Sequence, residues 1–237
     1  MSVTVLLIHG AFADGSSWSG VIERLQAFGV TVKTVANPLR GLTFDGEYVK
    51  SVVSQTEGDV VLVGHSYGGP VVTYAGSGQP NVKAVVFVSA FGIDKGETAG
   101  ASAEDYPKPA LADALQPWTY PGSETAEVSI REEEYHRVFA ADLPEASAAV
   151  QAANQRPLSR LGLSEPLTVE PAWKAVPTWW IFGTEDKVIN PDYQRDKSRK
   201  FGSTVTEVEG GSHATLISHA DEVADVILAA VSAVRQP

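Results

Sequence analysis

The chain of 237 residues contains no cysteine. Disulfides and thiolate metal sites are therefore excluded, and thiols say nothing about redox compartment. It also lacks any apolar run near the ~18 residues that a membrane-spanning helix needs. The N-terminal stretch Met1-Ser2-Val3-Thr4-Val5-Leu6-Leu7-Ile8 has neither the basic start nor the cleavage site of a signal peptide. It reads as a first strand, and the expected compartment is the cytoplasm. Positive charge is scarce: 18 Lys and Arg stand against 29 Asp and Glu, a formal net charge of −11. Nucleic acid and anionic membrane are thus poor partners, because phosphate binding needs clustered Lys and Arg. The expected partner is a small molecule or another protein.

With 43% apolar and 20% charged residues, the composition is that of an ordinary globular chain, long enough for one large α/β domain or two small ones. Apolar runs alternate with helical patterns, which predicts a mostly parallel sheet of roughly six strands with helices on both faces. Strands are expected at Val3–Ile8, 30–35, 60–63, 82–89, 178–182 and Thr204–Val208. Trp18, Val21, Ile22, Leu25 and Phe28 form one helical stripe that stops at Gly29. A helix over 45–55 takes Asp45 as its N-cap. Val223, Val226, Ile227, Ala230, Val231 and Val234 mark a last amphipathic helix. Between 91 and 176 prolines recur and helical pieces such as 132–141 are short. That stretch is too long for a plain loop. It reads as a helical cap (91–176) inserted into a core made of 1–90 and 177–237.

Three separated pieces carry the chemistry. In GDVVLVGHSYGGPVV, beginning at Gly58, a short apolar strand meets a helix through Gly64-His65-Ser66-Tyr67-Gly68. This fits G-x-S-x-G, in which a serine sits exposed on a sharp strand-to-helix turn. Small residues two positions either side let the two backbones nearly touch, and the helix N-terminus favours developing negative charge.

A serine hydroxyl needs a proton acceptor. Of five histidines, His9 and His65 lie inside turn motifs, His136 is in the insert and His219 is at the last helix. His213 falls in the loop between the last strand and the last helix, at the strand end where the serine turn also lies. Asp186 ends the Gly183-Thr184-Glu185-Asp186 turn after the 178–182 strand, where it can orient the far nitrogen of His213. Its neighbour Glu185 is expected to face away, and Asp192, after Pro191, to open a helix. An oxyanion requires two N–H donors. Tyr67, directly after the serine, is one. The other is expected from His9-Gly10-Ala11-Phe12, with Ala11 preferred and Phe12 in reserve. Trp118, Tyr120 and Phe139 either line an apolar pocket or pack the interior of the insert, and Tyr67 is placed to touch an acyl group.

The segments LLIHGAFADGSSW, LVGHSYGG, WWIFGTEDKVI and GGSHATLISHADEVADVI together resemble the α/β-hydrolases. The similarity extends over nearly the whole chain and is to the branch of small plant methylesterases and hydroxynitrile lyases, with bacterial esterase relatives. The resemblance implies an α/β-hydrolase fold with a cap over the site. It puts Ser66, Asp186 and His213 on the catalytic triad and Ala11 and Tyr67 on the oxyanion donors. It implies a small ester, aryl or methyl, as substrate, no metal or organic cofactor, and a homodimer as an option. Lyases of this branch place threonine at the position of Gly10 and lysine directly after the histidine, where this chain has Ala214. Both departures favour ester hydrolysis through an acyl-enzyme, while Thr215 is neutral. The alternatives are a hydroxynitrile lyase, a C–C hydrolase, a perhydrolase, or a non-catalytic ligand receptor on the same scaffold.

Overall fold

The computed structural model describes residues 2–119 and 125–235. In chain order the elements are β1 (Val3–Ile8), α1 (Ser19–Ala27), β2 (Thr31–Val35), α2 (Leu42–Ser54), β3 (Asp59–His65), α3 (Gly68–Ala75) and β4 (Val82–Val88). There follow β5 (Leu115–Trp118), β6 (Glu127–Ile130), α4 (Glu132–Phe139), α5 (Glu145–Ala153), β7 (Leu158–Ser159) and α6 (Leu161–Ser164). The chain closes with β8 (Thr178–Gly183), α7 (Pro191–Lys200), β9 (Thr204–Val208), α8 (Thr215–Ser218) and α9 (Ala220–Arg235).

The main sheet runs β2-β1-β3-β4-β8-β9, and every neighbouring pair is parallel. Its inner strands are apolar on both faces because both faces are covered. Leu6, Ile8, Leu62, Val85, Phe87, Trp180 and Phe182 point to one interior, which also holds α2, α3 and much of the 91–176 segment. Val5, Leu7, Val61, Val63, Val86 and Ile181 point to the other, under α1 and α9. Each buried Leu, Val or Phe side chain contributes about 1.5–3 kcal/mol from apolar burial. The edge strands β2 and β9 are instead largely exposed and carry Thr, Lys and Glu, which discourages pairing with another sheet. No described helix is long and apolar enough to cross a membrane.

Three local expectations need correction. Phe28 is 57% exposed, because α1 stops at Ala27 and Gly29 takes φ +68 just beyond it. Asp45 is not an N-cap. The helix α2 starts earlier, with Gly41 as N-cap, and Asp45 lies one turn inside. From there its buried carboxylate reaches back to accept from the N–H groups of Arg40 (3.0 and 3.1 Å) and Gly41 (3.4 Å). It thus satisfies orphan donors from within the helix rather than ahead of it. The 91–176 segment contains the short helices α4, α5 and α6, and also a three-stranded antiparallel sheet, β5-β6-β7. Those strands are only two to four residues long and β5 contains Pro117, so no alternating pattern marks them in sequence.

Candidate active site

The parallel strands bring their carboxyl ends to one rim, where open α/β sheets place their ligands. At the end of β3 the chain turns through Ser66, whose φ is +54. A non-glycine residue there is uncommon and is held by its surroundings. The N–H of Ser66 donates to Val88 O (3.1 Å), while its carbonyl accepts from Gly69 (3.0 Å) and Phe91 (3.2 Å). The flanking glycines are sterically required: a Cβ on Gly64 would run into the Gly68 carbonyl, and one on Gly68 would lie 2.6 Å from Ile8 O.

Beyond β8, the Asp186 carboxylate is buried and its oxygens face only donors. One accepts from the N–H groups of Val188 (2.8 Å) and Ile189 (2.9 Å). The other accepts from Gln194 Nε2 (2.9 Å) and pairs with His213 Nδ1 (2.8 Å). These contacts fix the proton of His213 on Nδ1 and leave Nε2 as the reactive nitrogen. That Nε2 is buried and makes no hydrogen bond among the described residues. The Phe139 ring meets His213 edge-on at 4.8 Å, and His65 lies 4.8 Å away on another side.

His65 Nε2 contacts His213 O at 3.1 Å, so that nitrogen is the donor and the ring is neutral. Burial drives its pKa well below the ordinary value of 6.5, and the neighbouring His213 adds to this. His9 is lowered too, mainly by burial, and works inside its own turn. It contacts Gly10 O through Nδ1 (2.8 Å) and accepts from Asn37 N through Nε2 (3.1 Å). Both histidines thus have the architectural roles expected of them. His136 contacts Leu143 O, and His219 lies beside Asp142 and Glu222.

Of the two candidate donors in the first loop, Phe12 is already engaged: its N–H bonds Arg156 O at 3.0 Å. The N–H groups of Ala11 and Tyr67 have no partner among the described residues. Tyr67 does not offer its phenol to the rim. Its hydroxyl donates to Asp45 Oδ2 at 2.8 Å. Burial, reinforced by that carboxylate, pushes the phenol pKa well up, and burial also raises that of Asp45.

Trp118 is 52% exposed and its indole N–H bonds Ser129, away from this rim. It lines a small, mixed polar and apolar pocket of about 160 Å³ with Gln116, Glu132, Gln155 and Pro157 among others, none of them a proposed catalytic residue. Phe139 is buried against His213, and Tyr120 lies outside the described residues. A cavity of about 380 Å³ is lined by Phe91, Tyr106, Leu111, Leu163, Val188 and Ile189 among others, and none of Ser66, Asp186, His213, Ala11 and Tyr67 is in its lining. It is tied to the site one residue removed: Phe91 N–H bonds the Ser66 carbonyl, and the N–H groups of Val188 and Ile189 bond Asp186. Among the described residues no cluster of His, Asp or Glu is arranged to hold a metal ion. Sequence reasoning missed Gln194 and Asp45. The available signal was weak: an uncharged Gln beside Tyr193 in the otherwise charged α7, and an acid in the apolar first turn of α2.

The parallel sheet, the turn at Ser66 and the buried Asp186–His213 pair define a class. Residues 5–226 match the Alpha/beta hydrolase family, and the chain belongs to it. It is 26% identical over 247 aligned residues to a pyrethroid hydrolase of Sphingobium wenxiniae, covering 96% of this chain and 87% of that one. In structure it is similar to polyneuridine aldehyde esterase, with a TM-score of 0.82 at 20% identity over 97% of this chain and 99% of the other. A methylesterase from Arabidopsis gives a TM-score of 0.81 at 18% identity, again over 97% and 99%.

Proposed function

We propose that this chain is a serine carboxylic-ester hydrolase. The observation that carries the reading is the buried His213–Asp186 pair, with Nε2 of His213 left free at the rim where Ser66 holds its strained turn. His213 takes the Ser66 proton as the hydroxyl attacks the ester carbonyl. The N–H groups of Ala11 and Tyr67 hold the oxyanion. His213 then gives its proton to the departing alcohol, and water repeats the sequence on the acyl-enzyme. No hydrogen bond links Ser66 Oγ to His213 among the described residues. Such contacts are commonly loose before substrate arrives and tighten in the complex.

The apolar 380 Å³ cavity suits one hydrophobic group of a small ester, aryl or alkyl. This agrees with the ester chemistry in the names of the similar methylesterase and polyneuridine aldehyde esterase structures. The lyase reading is disfavoured at two points. A Cβ on Gly10 would lie 2.6 Å from Ser66 Cβ and 2.9 Å from His65 O, so threonine does not fit this backbone. Ala214 offers no charge for a departing anion.

The test is a substrate panel beside a fluorophosphonate probe. p-Nitrophenyl acetate and butyrate should be turned over, mandelonitrile should not, and the probe should label Ser66. Faster cleavage of mandelonitrile than of either ester would reverse the assignment. An unlabelled Ser66 would instead favour a ligand receptor.

A further inference from the structure

Helix α4 touches both loops of the proposed site, one with each end. Near its start, Tyr135 is buried and its hydroxyl donates to Phe12 O at 2.9 Å. Phe12 follows Ala11 and holds φ +60, a conformation that a bulky residue leaves unless it is fixed. It is fixed from both sides by the 91–176 segment: Tyr135 takes its carbonyl and Arg156 O takes its N–H.

At the other end of α4, Phe139 O accepts from Ala214 N (3.0 Å) and lies 3.2 Å from Ser212 Oγ, whose single proton is shared with the nearer Asp142. Three residues on, the Asp142 carboxylate accepts from Ser212 N (2.9 Å), Ser212 Oγ (2.5 Å) and Ser218 Oγ (2.7 Å). His213 is therefore clamped on both flanks, and the Phe139 ring packs on the imidazole itself. Tyr135 and Phe139, one helical turn apart, stack at 4.8 Å, so a single face of α4 joins the two loops.

We propose that Tyr135 and Asp142 are positioning residues: Tyr135 aims the Ala11 oxyanion donor through Phe12, and Asp142 aims the His213 imidazole through Ser212. The inference rests on the hydrolase reading above. It also has a geometric consequence. The α4 part of the insert cannot lift away during turnover without dismantling the site.

The experiment compares Tyr135→Phe, Asp142→Ala and Asp142→Asn with wild type. Tyr74→Phe serves as a control that loses a tyrosine hydroxyl bonded to Glu47 and Thr168 and to neither loop. Tyr135→Phe should lower kcat/KM for p-nitrophenyl butyrate about tenfold, through kcat rather than KM, because small misplacements of reacting groups are costly. Phenylboronic acid, which binds as a tetrahedral adduct of Ser66, should weaken by the same factor, while inhibition by butanol should not change. Asp142→Ala should slow fluorophosphonate labelling of Ser66 by a similar factor. Asp142→Asn, which keeps one acceptor oxygen, should fall between it and wild type. A purely structural role would lower the melting temperature and leave boronate affinity and labelling rate per folded molecule alone. All variants within twofold of wild type, like the control, would overturn the proposal and leave the hydrolase reading intact. If Tyr135→Phe does not fold, the Asp142 pair decides. Wild type inert to both ester and fluorophosphonate would sink the hydrolase reading and this inference with it.

Discussion

Ser66 and His213 face one rim, yet the chain secures them in different ways. Ser66 is held by the backbone of the neighbouring strand β4, by the first turn of its own helix α3, and by two glycines within two residues of it. His213 is held by groups far along the chain: Asp186 at a separation of 27 residues, Asp142 acting on its neighbour Ser212 at 70, and His65 at 148. Local restraint leaves a compact motif in the sequence. Distant restraint leaves only single residues, each of which looks ordinary by itself. The comparison also separates two kinds of fragility. The serine turn is limited by sterics, the histidine loop by a network of hydrogen bonds.

The largest expected effect tests the serine side. Ser66→Ala should lower ester turnover by at least about 10⁴-fold, the scale seen when a triad nucleophile is removed. Its melting temperature should stay near that of wild type, because the hydroxyl makes no hydrogen bond that the fold needs. Retained turnover would show that the turn is not where the chemistry happens. Next is the steric claim. Gly64→Ala forces a methyl group into the Gly68 carbonyl and should cost about 1–3 kcal/mol, as overpacked interiors do. Denaturant unfolding measures this, and an unchanged midpoint would mean that the strand and helix have room to spare.

A smaller effect comes from protons. His9 and His65 have lowered pKa values in the folded protein, so the unfolded chain binds more protons once the pH drops below the ordinary 6.5. Their contribution to stability is thus complete above 6.5 and is lost as the pH falls toward their folded values. The melting temperature should decline between pH 7 and 5.5. The carboxylates with lowered pKa, Glu97 and Asp142 among them, act only below about 4.5, while Asp45, whose pKa burial raises, acts in the opposite sense above its ordinary 3.8. A flat profile would contradict the neutral, buried imidazoles. The smallest effect is expected at Trp118. As an exposed side chain outside the rim, its replacement by alanine should change stability by no more than about 0.5 kcal/mol and leave kcat/KM within twofold. A larger loss of activity would bring the β5 strand into the site after all.

The legibility of the molecule follows the same division. The inner strands of the main sheet were readable because they are buried on both faces and so appear as unbroken apolar runs, as in Val60 to Val63 and in Trp180-Ile181-Phe182. The chain order of Ser66, Asp186 and His213 was readable because the first two sit just past such runs and the third follows the last strand, β9. The β5-β6-β7 sheet was not, since its strands are too short for alternation to register. Nor was the placement of Asp45, because α2 begins before the carboxylate that serves its end.

The sequence by itself determined the alternation of strands and helices, the sharp turn at Ser66, and the placement of a carboxylate and an imidazole after later strands. Each of these is written in apolar periodicity or in glycines a few residues apart, which act at short range along the chain. Only the tertiary structure decided that Gln194 supports Asp186, that Tyr67 sends its hydroxyl to Asp45 rather than to the rim, and that one face of α4 braces both loops. Those contacts join residues on different segments, 8 to 123 positions apart in the chain. A hydrogen bond between them leaves no periodicity, and only the closed packing of the sheet, its helices and the insert brings donor and acceptor within 3 Å of each other.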